Sequence, residues 1–388
     1  MDTVELNDPL RHAKALAPDI AAAGDEIEST RRIPPALLDK LHEARLCRML
    51  LPRSVDGDEI TPGAYLLAVE EVARHDASIA WNLFVANSAA LLAPHLEPET
   101  ARTIFADPRA LVAWGPPNAS LAIAVPGGYR VSGRWDFASG CRQATWMGAH
   151  CRVQETDGSI RTHTDGRPYI LSLLFPADQA TLLDTWNTIG LRGTASDSYT
   201  VEDLFVADAF TGTRETPEAR REPGPLYAFT MQGLYAVGVA AVALGIARAM
   251  LDAFGSLAAE KTPRGLSRLA DSAGVQSGVG KAEARIGAAR AYLLEVLKDI
   301  YDNAADCAAI NTQDRARVRL ATTNAIHGAI ETADWLYKNA GVNSIFPGSP
   351  YERRFRDIHT LSQQIQSRDA HYEAVGQVLL GKTPAVFY

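Results

Sequence analysis

The spacing of apolar positions divides the chain into three stretches. Up to about residue 109 they recur at helical steps. Leu37, Leu38 and Leu41 follow Pro34-Pro35, a helix start with proline in the first turn. Ala64, Leu67, Ala68, Val72 and Ala73 predict a second helix, and the run from Ile79 to Leu92 a third. From about residue 110 the period changes to two. Tyr129, Val131, Trp135 and Phe137 alternate with Arg130, Ser132, Arg134 and Asp136, the return arm of a hairpin after the Pro126-Gly127-Gly128 turn. Leu121–Val125, Trp146–Val153, Tyr169–Phe175, Ala180–Trp186 and Tyr199–Val206 are further expected strands, with turns at Asp157-Gly158 and Asp165-Gly166. Strands this short and close together predict a compact β-barrel or sandwich. The proline- and glycine-bearing segment 210–226 reads as a linker. Helices are then expected over Tyr227–Lys261, Val275–Ala304, Asp314–Gly341 and Ile358–Gly381. The expected fold class is therefore mainly α with a small β-domain: an N-terminal helical domain (1–109), a central β-barrel (110–212) and a C-terminal four-helix bundle (213–388).

Composition removes several classes of function. A net charge of −8 gives no basic footprint for nucleic acid and argues against anionic membranes. No charged residue occurs from Pro223 to Ala247, but Gly233, Ala236, Gly238, Ala240, Ala241, Ala243, Gly245 and Ala247 make this a small-residue helix for close packing inside a bundle. Cys47, Cys141, Cys151 and Cys307 have neither CxxC nor zinc spacing, and Met1–Glu5 carries no basic or apolar leader, so a cytoplasmic, reducing location is expected. No glycine fingerprint for a nicotinamide cofactor follows a strand. Gly280-Lys281 lacks both the spacing and the hydroxyl of a phosphate loop. The histidines form no metal-spaced pair, and Ala138-Ser139-Gly140 is not a nucleophile elbow.

Four segments carry a resemblance. They are Trp135-Asp136-Phe137-Ala138-Ser139-Gly140; Trp186 to Ser196, with Gly190, Arg192, Thr194 and Ser196 in place; Leu269-Ala270-Asp271 followed by Val275-Gln276; and Ala340-Gly341 with Arg353 to Asp357. Together they resemble the acyl-CoA dehydrogenase superfamily, and more closely its branch of two-component flavin monooxygenases, such as the oxygenases acting on 4-hydroxyphenylacetate or dibenzothiophene. The resemblance implies a flavin held by Trp135, Phe137, Ser139, Trp186, Arg192, Thr194, Ser196, Arg264, Gln276, Gly341 and Arg356, with the last four reaching a neighbouring subunit of a dimer-of-dimers homotetramer. Glycines in the second segment let backbone approach a ligand, and its hydroxyls and amides offer hydrogen bonds. Trp135 and Phe137 equally suit a barrel core, and Asp357 a buried ion pair. The arginine of the family's third segment is replaced by Thr262, leaving Lys261, Arg264 or Arg268 as the cation.

The tail separates two chemistries. In many dehydrogenases of the family a glutamate follows the Arg-Asp pair by about nine residues. Here that register reads Gln364-Ile365-Gln366-Ser367, without a carboxylate. The resemblance instead implies an oxygenase component that takes reduced FMN or FAD from a separate NAD(P)H-flavin reductase. Such a component reacts it with O2 to a C4a-hydroperoxide and oxygenates a small aromatic or heteroaromatic substrate. Ser139 and Gln364 are the expected catalytic positions. Gln364 replaces the histidine of several aromatic hydroxylases, which favours substrates needing no deprotonation. His371 is expected two turns along the same helix from Gln364. Trp81, Phe84, Asn87, Trp114, Trp146, Tyr235 and His371 are candidate substrate-lining residues. An acyl-CoA dehydrogenase or flavin oxidase with a displaced base, and an inactive binding or assembly protein, are the alternatives.

Overall fold

The computed structural model describes residues 8–384 apart from positions 165, 214, 215 and 306; the Met1–Glu5 start and Asp165 lie outside the described residues. Helices α1 (Pro9–Thr30), α2 (Pro35–Glu43), α3 (Pro62–His75), α4 (Ala77–Ala90) and α5 (Pro98–Phe105) come first. Their starts are chemically marked. Thr61 caps α3 by accepting Ala64 N–H, with Pro62 behind it, and Asp76 caps α4 by accepting Ile79 N–H. Eight strands follow: β1 (Val112–Trp114), β2 (Leu121–Val125), β3 (Gly128–Ala138), β4 (Trp146–Gln154), β5 (Ile170–Pro176), β6 (Thr181–Leu183), β7 (Asp197–Ala207) and β8 (Thr211–Gly212).

The expected barrel is corrected here. The strands form one mixed sheet in the order β6-β7-β3-β2-β4-β5-β8, with β1 added parallel to β4. Its two end strands are three and two residues long and do not pair with each other, so the sheet stays open. Most of its pairs are antiparallel, while β4 is parallel to both β1 and β2. Between Trp135 and Ala138 the register with β7 shifts, and this bulge re-aims the end of β3.

Three long helices come next: α6 (Met231–Glu260), α7 (Ala273–Asn303) and α8 (Thr312–Ala340). Between them α3, α6, α7 and α8 bury one continuous apolar core, and the sheet has a second around Trp135, Met147, Leu173, Phe175 and Tyr199. The most apolar window of α6 is 83% buried within this fold. The expected fourth long helix is absent. Its place is taken by α9 (Glu352–Leu361), a single turn at Ile365–Ser367, and α10 (Ala370–Leu379). Buried polar contacts hold the break. Gln366 receives a hydrogen bond from Arg319 and donates one to Gln232 at 2.9 Å, while Ser367 donates to Leu361 O at 3.1 Å.

Candidate functional site

The bulge at the end of β3 builds the centre of the site. It turns Phe137 outward at φ 63°, 63% exposed, and Ser139 inward, 7% exposed. Trp81 on α4 donates its indole N–H to Ser139 Oγ at 3.1 Å. Ser139 Oγ lies 2.6 Å from Ser196 Oγ, which lies 2.7 Å from Thr194 Oγ1. The turn carrying Thr194 is bounded by Leu191 and Ala195, both at positive φ. Together with Phe137, that places three non-glycine residues in a costly backbone region around one hydroxyl cluster, as at sites where geometry is imposed for function.

Helix α4 and this turn are locked together. Asn82 donates to Gly193 O at 3.2 Å, and Ser78 accepts Gly193 N–H at 3.2 Å. The Asn82 Oδ1 atom is buried and has no hydrogen-bond partner among the described residues. A buried acceptor without a donor is costly unless a ligand completes it. Gly140 is the neighbour on that side: a Cβ there would stand 3.5 Å from Asn82 Oδ1. Outside the bulge, Phe137 meets Trp186 edge-on at 6.3 Å, and Ile189 is 66% exposed. An apolar aromatic rim beside a buried, unfilled acceptor suits a planar heterocycle bearing an N–H group.

On the other side of Trp81 an aromatic strip runs toward the C-terminal segment. Trp81 meets Phe84 edge-on at 4.8 Å, and Phe84 meets Tyr235 at 5.0 Å and 88°. The Tyr235 phenol lies beside the Gln364 side chain, and burial raises it above the ordinary range. Gln364 also accepts Gln366 N–H at 2.6 Å. The strip thus links the two positions expected to be catalytic, Ser139 and Gln364, through side-chain contacts.

The tail closes over the same turn. Gly190 packs against α9 so closely that a Cβ would sit 2.2 Å from Arg356 O. Asp357 accepts Leu191 N–H at 2.6 Å. Burial, reinforced by nearby Asp76, pushes its carboxyl up to about 7, and burial takes Asp76 to about 6. Arg354 lies among these acids and donates to Arg74 O and Pro350 O.

Comparison with known proteins agrees with this geometry. Two family models match, described as acyl-CoA dehydrogenase N-terminal domain over residues 12–97 and acyl-CoA dehydrogenase C-terminal domain over 237–368. An indole-3-acetate monooxygenase of Pseudomonas putida is 30% identical over 370 residues, spanning 94% of this chain and 91% of the relative. The chain belongs to the acyl-CoA dehydrogenase superfamily. Within it the chain is the oxygenase component of a two-component flavin-dependent monooxygenase. The oxygenase subunit HsaA of Rhodococcus jostii is 26% identical, over 90% of this chain and 92% of its own. XiaF from Streptomyces sp., solved in complex with FADH2 and glycerol, superposes with TM-score 0.90 at 25% identity, covering 99% and 98% of the two chains.

Set in this monooxygenase, the residues expected from sequence divide. Ser139, Thr194, Ser196, Trp186, Phe137, Trp81, Phe84, Tyr235 and Gln364 come together as described. Trp135 does not join them: it is fully buried, donates to His150 O at 3.2 Å and stacks on Tyr199, so it is sheet core. Asn87 is also withdrawn, because its amide is spent on Leu50 N–H, Leu46 O and Leu83 O. Trp114 packs on His150, and Trp146 stacks on Phe210, in a cluster with Ala89 and Ala90 at the far end of α4 from Trp81. His371 lies beyond the break, bonded to Ile365 O at 2.8 Å, not on a helix shared with Gln364. Burial lowers its affinity for a proton.

The cationic positions are occupied or remote. Arg192 donates to Thr188 O at 3.0 Å and pairs with Glu28, and Arg356 pairs with Glu28 and Glu352. Asp357 takes the Leu191 amide as its hydrogen-bond partner, and Arg356 acts on it through charge. Arg264 and Gln276 are exposed, with Gln276 donating to Ala270 O at 2.8 Å. Gly341 takes φ 59° beside Lys261, whose ammonium donates to Ala340 O at 2.7 Å. Asn82 was invisible to sequence reasoning, since it sits in a helix buried on nearly all sides and no periodicity marks it.

Proposed function

We propose that the chain oxygenates a neutral heteroaromatic substrate of indole-like size, using reduced FMN or FAD and dioxygen. A separate NAD(P)H-flavin reductase would supply the flavin. The carrying observation is the aromatic strip Trp81–Phe84–Tyr235, which ends on an amide, Gln364, rather than on an acid or base. Edge-to-face rings grip an aromatic substrate, and an amide orients it without removing a proton. The indole-3-acetate monooxygenase relative supports this substrate class.

Reduced flavin supplies the electrons that activate dioxygen. In this reading Phe137, Trp186 and Ile189 would hold the planar ring system, the unpaired Asn82 Oδ1 would accept a hydrogen bond from it, and Ser139 would be its hydroxyl partner. The burial of Ser139, Ser196 and Thr194 excludes water there, where it would divert the reaction to hydrogen peroxide. Arg264, Gln276 and Gly341 belong to the flavin of a neighbouring subunit in a homotetramer. Their exposure, and that of Leu266, Val342, Ile345 and Phe346, supports this. The cytoplasm is the expected location.

The test mixes protein with anaerobically reduced FMN or FAD, then adds ¹⁸O-labelled dioxygen with indole, a phenol or an acyl-CoA. Label in an indole product is the expected result. Conversion of the acyl-CoA to its enoyl form, with no labelled aromatic product, would overturn the proposal.

A further inference from the structure

Three buried hydroxyls stand in line behind the Ser139 turn, each 1–7% exposed. Ser139 contacts Ser196 at 2.6 Å, Ser196 contacts Thr194 at 2.7 Å, and Thr194 contacts Leu191 O at 2.9 Å. Both ends have a second donor. Trp81 donates to Ser139 at 3.1 Å, and Trp186 donates to the same Leu191 oxygen at 2.9 Å. Each hydroxyl has one hydrogen and two lone pairs, so the hydrogens can be ordered in only two continuous ways.

In the first order Thr194 donates to Leu191 O, Ser196 to Thr194 and Ser139 to Ser196. Ser139 then has no hydrogen left and offers a ligand only a lone pair. In the second order Thr194 donates to Ser196 and Ser196 to Ser139. Both lone pairs of Ser139 are then taken, by Trp81 and Ser196, and its hydrogen is free. The Leu191 carbonyl is not orphaned, because Trp186 still donates to it. The two orders differ by one hydrogen bond to an oxygen that keeps another. Rotation of three hydroxyls interconverts them, and no proton changes its oxygen.

We propose that Thr194 and Ser196 are positioning residues forming a reversible relay, which lets Ser139 accept from one redox state of the flavin and donate to the other. This rests on the placement of flavin against Ser139 proposed above. Oxidised flavin presents a bare ring nitrogen at its reacting edge, an acceptor. Two-electron reduction adds a hydrogen there and makes it a donor. A single fixed hydroxyl order would match one state and oppose the other, whereas the relay matches both.

The test measures dissociation constants for oxidised flavin and for anaerobically reduced flavin, by fluorescence or absorbance titration, without turnover. Thr194→Val keeps the shape of the side chain but can neither accept nor donate. Ser196 can then give its hydrogen only to Ser139, which locks the second order against reduced flavin. The ratio of reduced to oxidised dissociation constants should rise about tenfold. That equals a fall of about 30 mV in the potential of bound flavin for a two-electron couple. Thr194→Ser should restore the wild-type ratio, and adding Ser196→Ala to Thr194→Val should restore it too, by freeing Ser139. A packing defect would weaken both states together and would not be cured by a second deletion. Should Thr194→Val not fold, Thr194→Ala imposes the same lock. An unchanged ratio in a variant that binds both states overturns the relay alone. Failure of the wild-type chain to bind flavin in either state overturns the flavin placement as well.

Discussion

The Asp357 carboxylate accepts the Leu191 backbone N–H at 2.6 Å, tying α9 to the turn that carries Thr194 and Ser196. Burial holds this acid up to about 7 against an ordinary 3.8, so the fold favours its protonated form. The native state then retains a proton that the unfolded chain releases. This contribution to stability is complete below about pH 4 and is lost as pH rises through about 7. Asp357→Asn keeps an acceptor for Leu191 but cannot ionise. Its stability relative to wild type should improve by roughly 2–4 kcal/mol between pH 4 and 8, measured by denaturant unfolding across that range. The opposite slope would mean that Asp357 is ionised against Arg354.

Ser139→Ala removes the acceptor of the Trp81 indole and the first hydroxyl at the bulge. The stranded indole N–H costs about 1–3 kcal/mol of local stability. Flavin should still bind, because Phe137, Trp186 and Asn82 are untouched. Hydrogen peroxide released per flavin oxidised should rise several-fold and product should fall in proportion, as followed by a peroxidase-coupled assay. Unchanged coupling would remove Ser139 from the reacting edge.

Tyr235 touches Phe84 on one side and Gln364 on the other. Tyr235→Phe keeps the ring and loses the hydroxyl, so it separates packing from hydrogen bonding. Placed on the substrate side, the change should raise KM for an indole several-fold and leave flavin affinity within about twofold. Because Gln364 cannot titrate, kcat for that substrate should show no inflection attributable to it between pH 6 and 9. A weakened flavin with an unaltered KM would move Tyr235 to the cofactor side.

Strand β3 is plain in the sequence because it alternates and one face meets a core, whereas β4 and β5 show as apolar runs buried along almost their whole length. Strands β1 and β8 are too short to alternate, and whether β6 and β8 meet is a non-local matter that no local pattern encodes. The break after Leu361 was equally hidden. No proline or glycine lies between Ser362 and Asp369. The break is held by Gln366, which bonds Arg319 and Gln232 on other elements, and by Ser367, which donates back to the helix end at Leu361 O and whose carbonyl meets His327. In the site, hydroxyls and glycines of the Trp186–Ser196 segment were legible as a motif. The difference between Asn82 and Asn87 was not. Both lie in the same buried helix, and only packing decides that Asn87 serves the backbone while Asn82 keeps a free oxygen.

The exposed apolar residues on the turns after α6 and α8 offer a last prediction. Leu266 is 68% exposed, and Val342, Ile345 and Phe346 are 60%, 58% and 58%. Two of the flavin positions expected to act across subunits, Arg264 and Gly341, lie within five residues of one of these four. If a second copy covers this face, one substitution should change assembly and flavin affinity together. Phe346→Asp places a charge where the interface would be desolvated, a cost of several kcal/mol when unpaired. Light scattering should show the assembly shifting to smaller species, and flavin affinity should fall about tenfold or more. Arg264→Ala, made in the intact assembly, should weaken flavin binding without dissociating it. A monomeric wild type that binds flavin normally, or a Phe346→Asp variant with unaltered mass and affinity, would leave these turns without a role in the cofactor site.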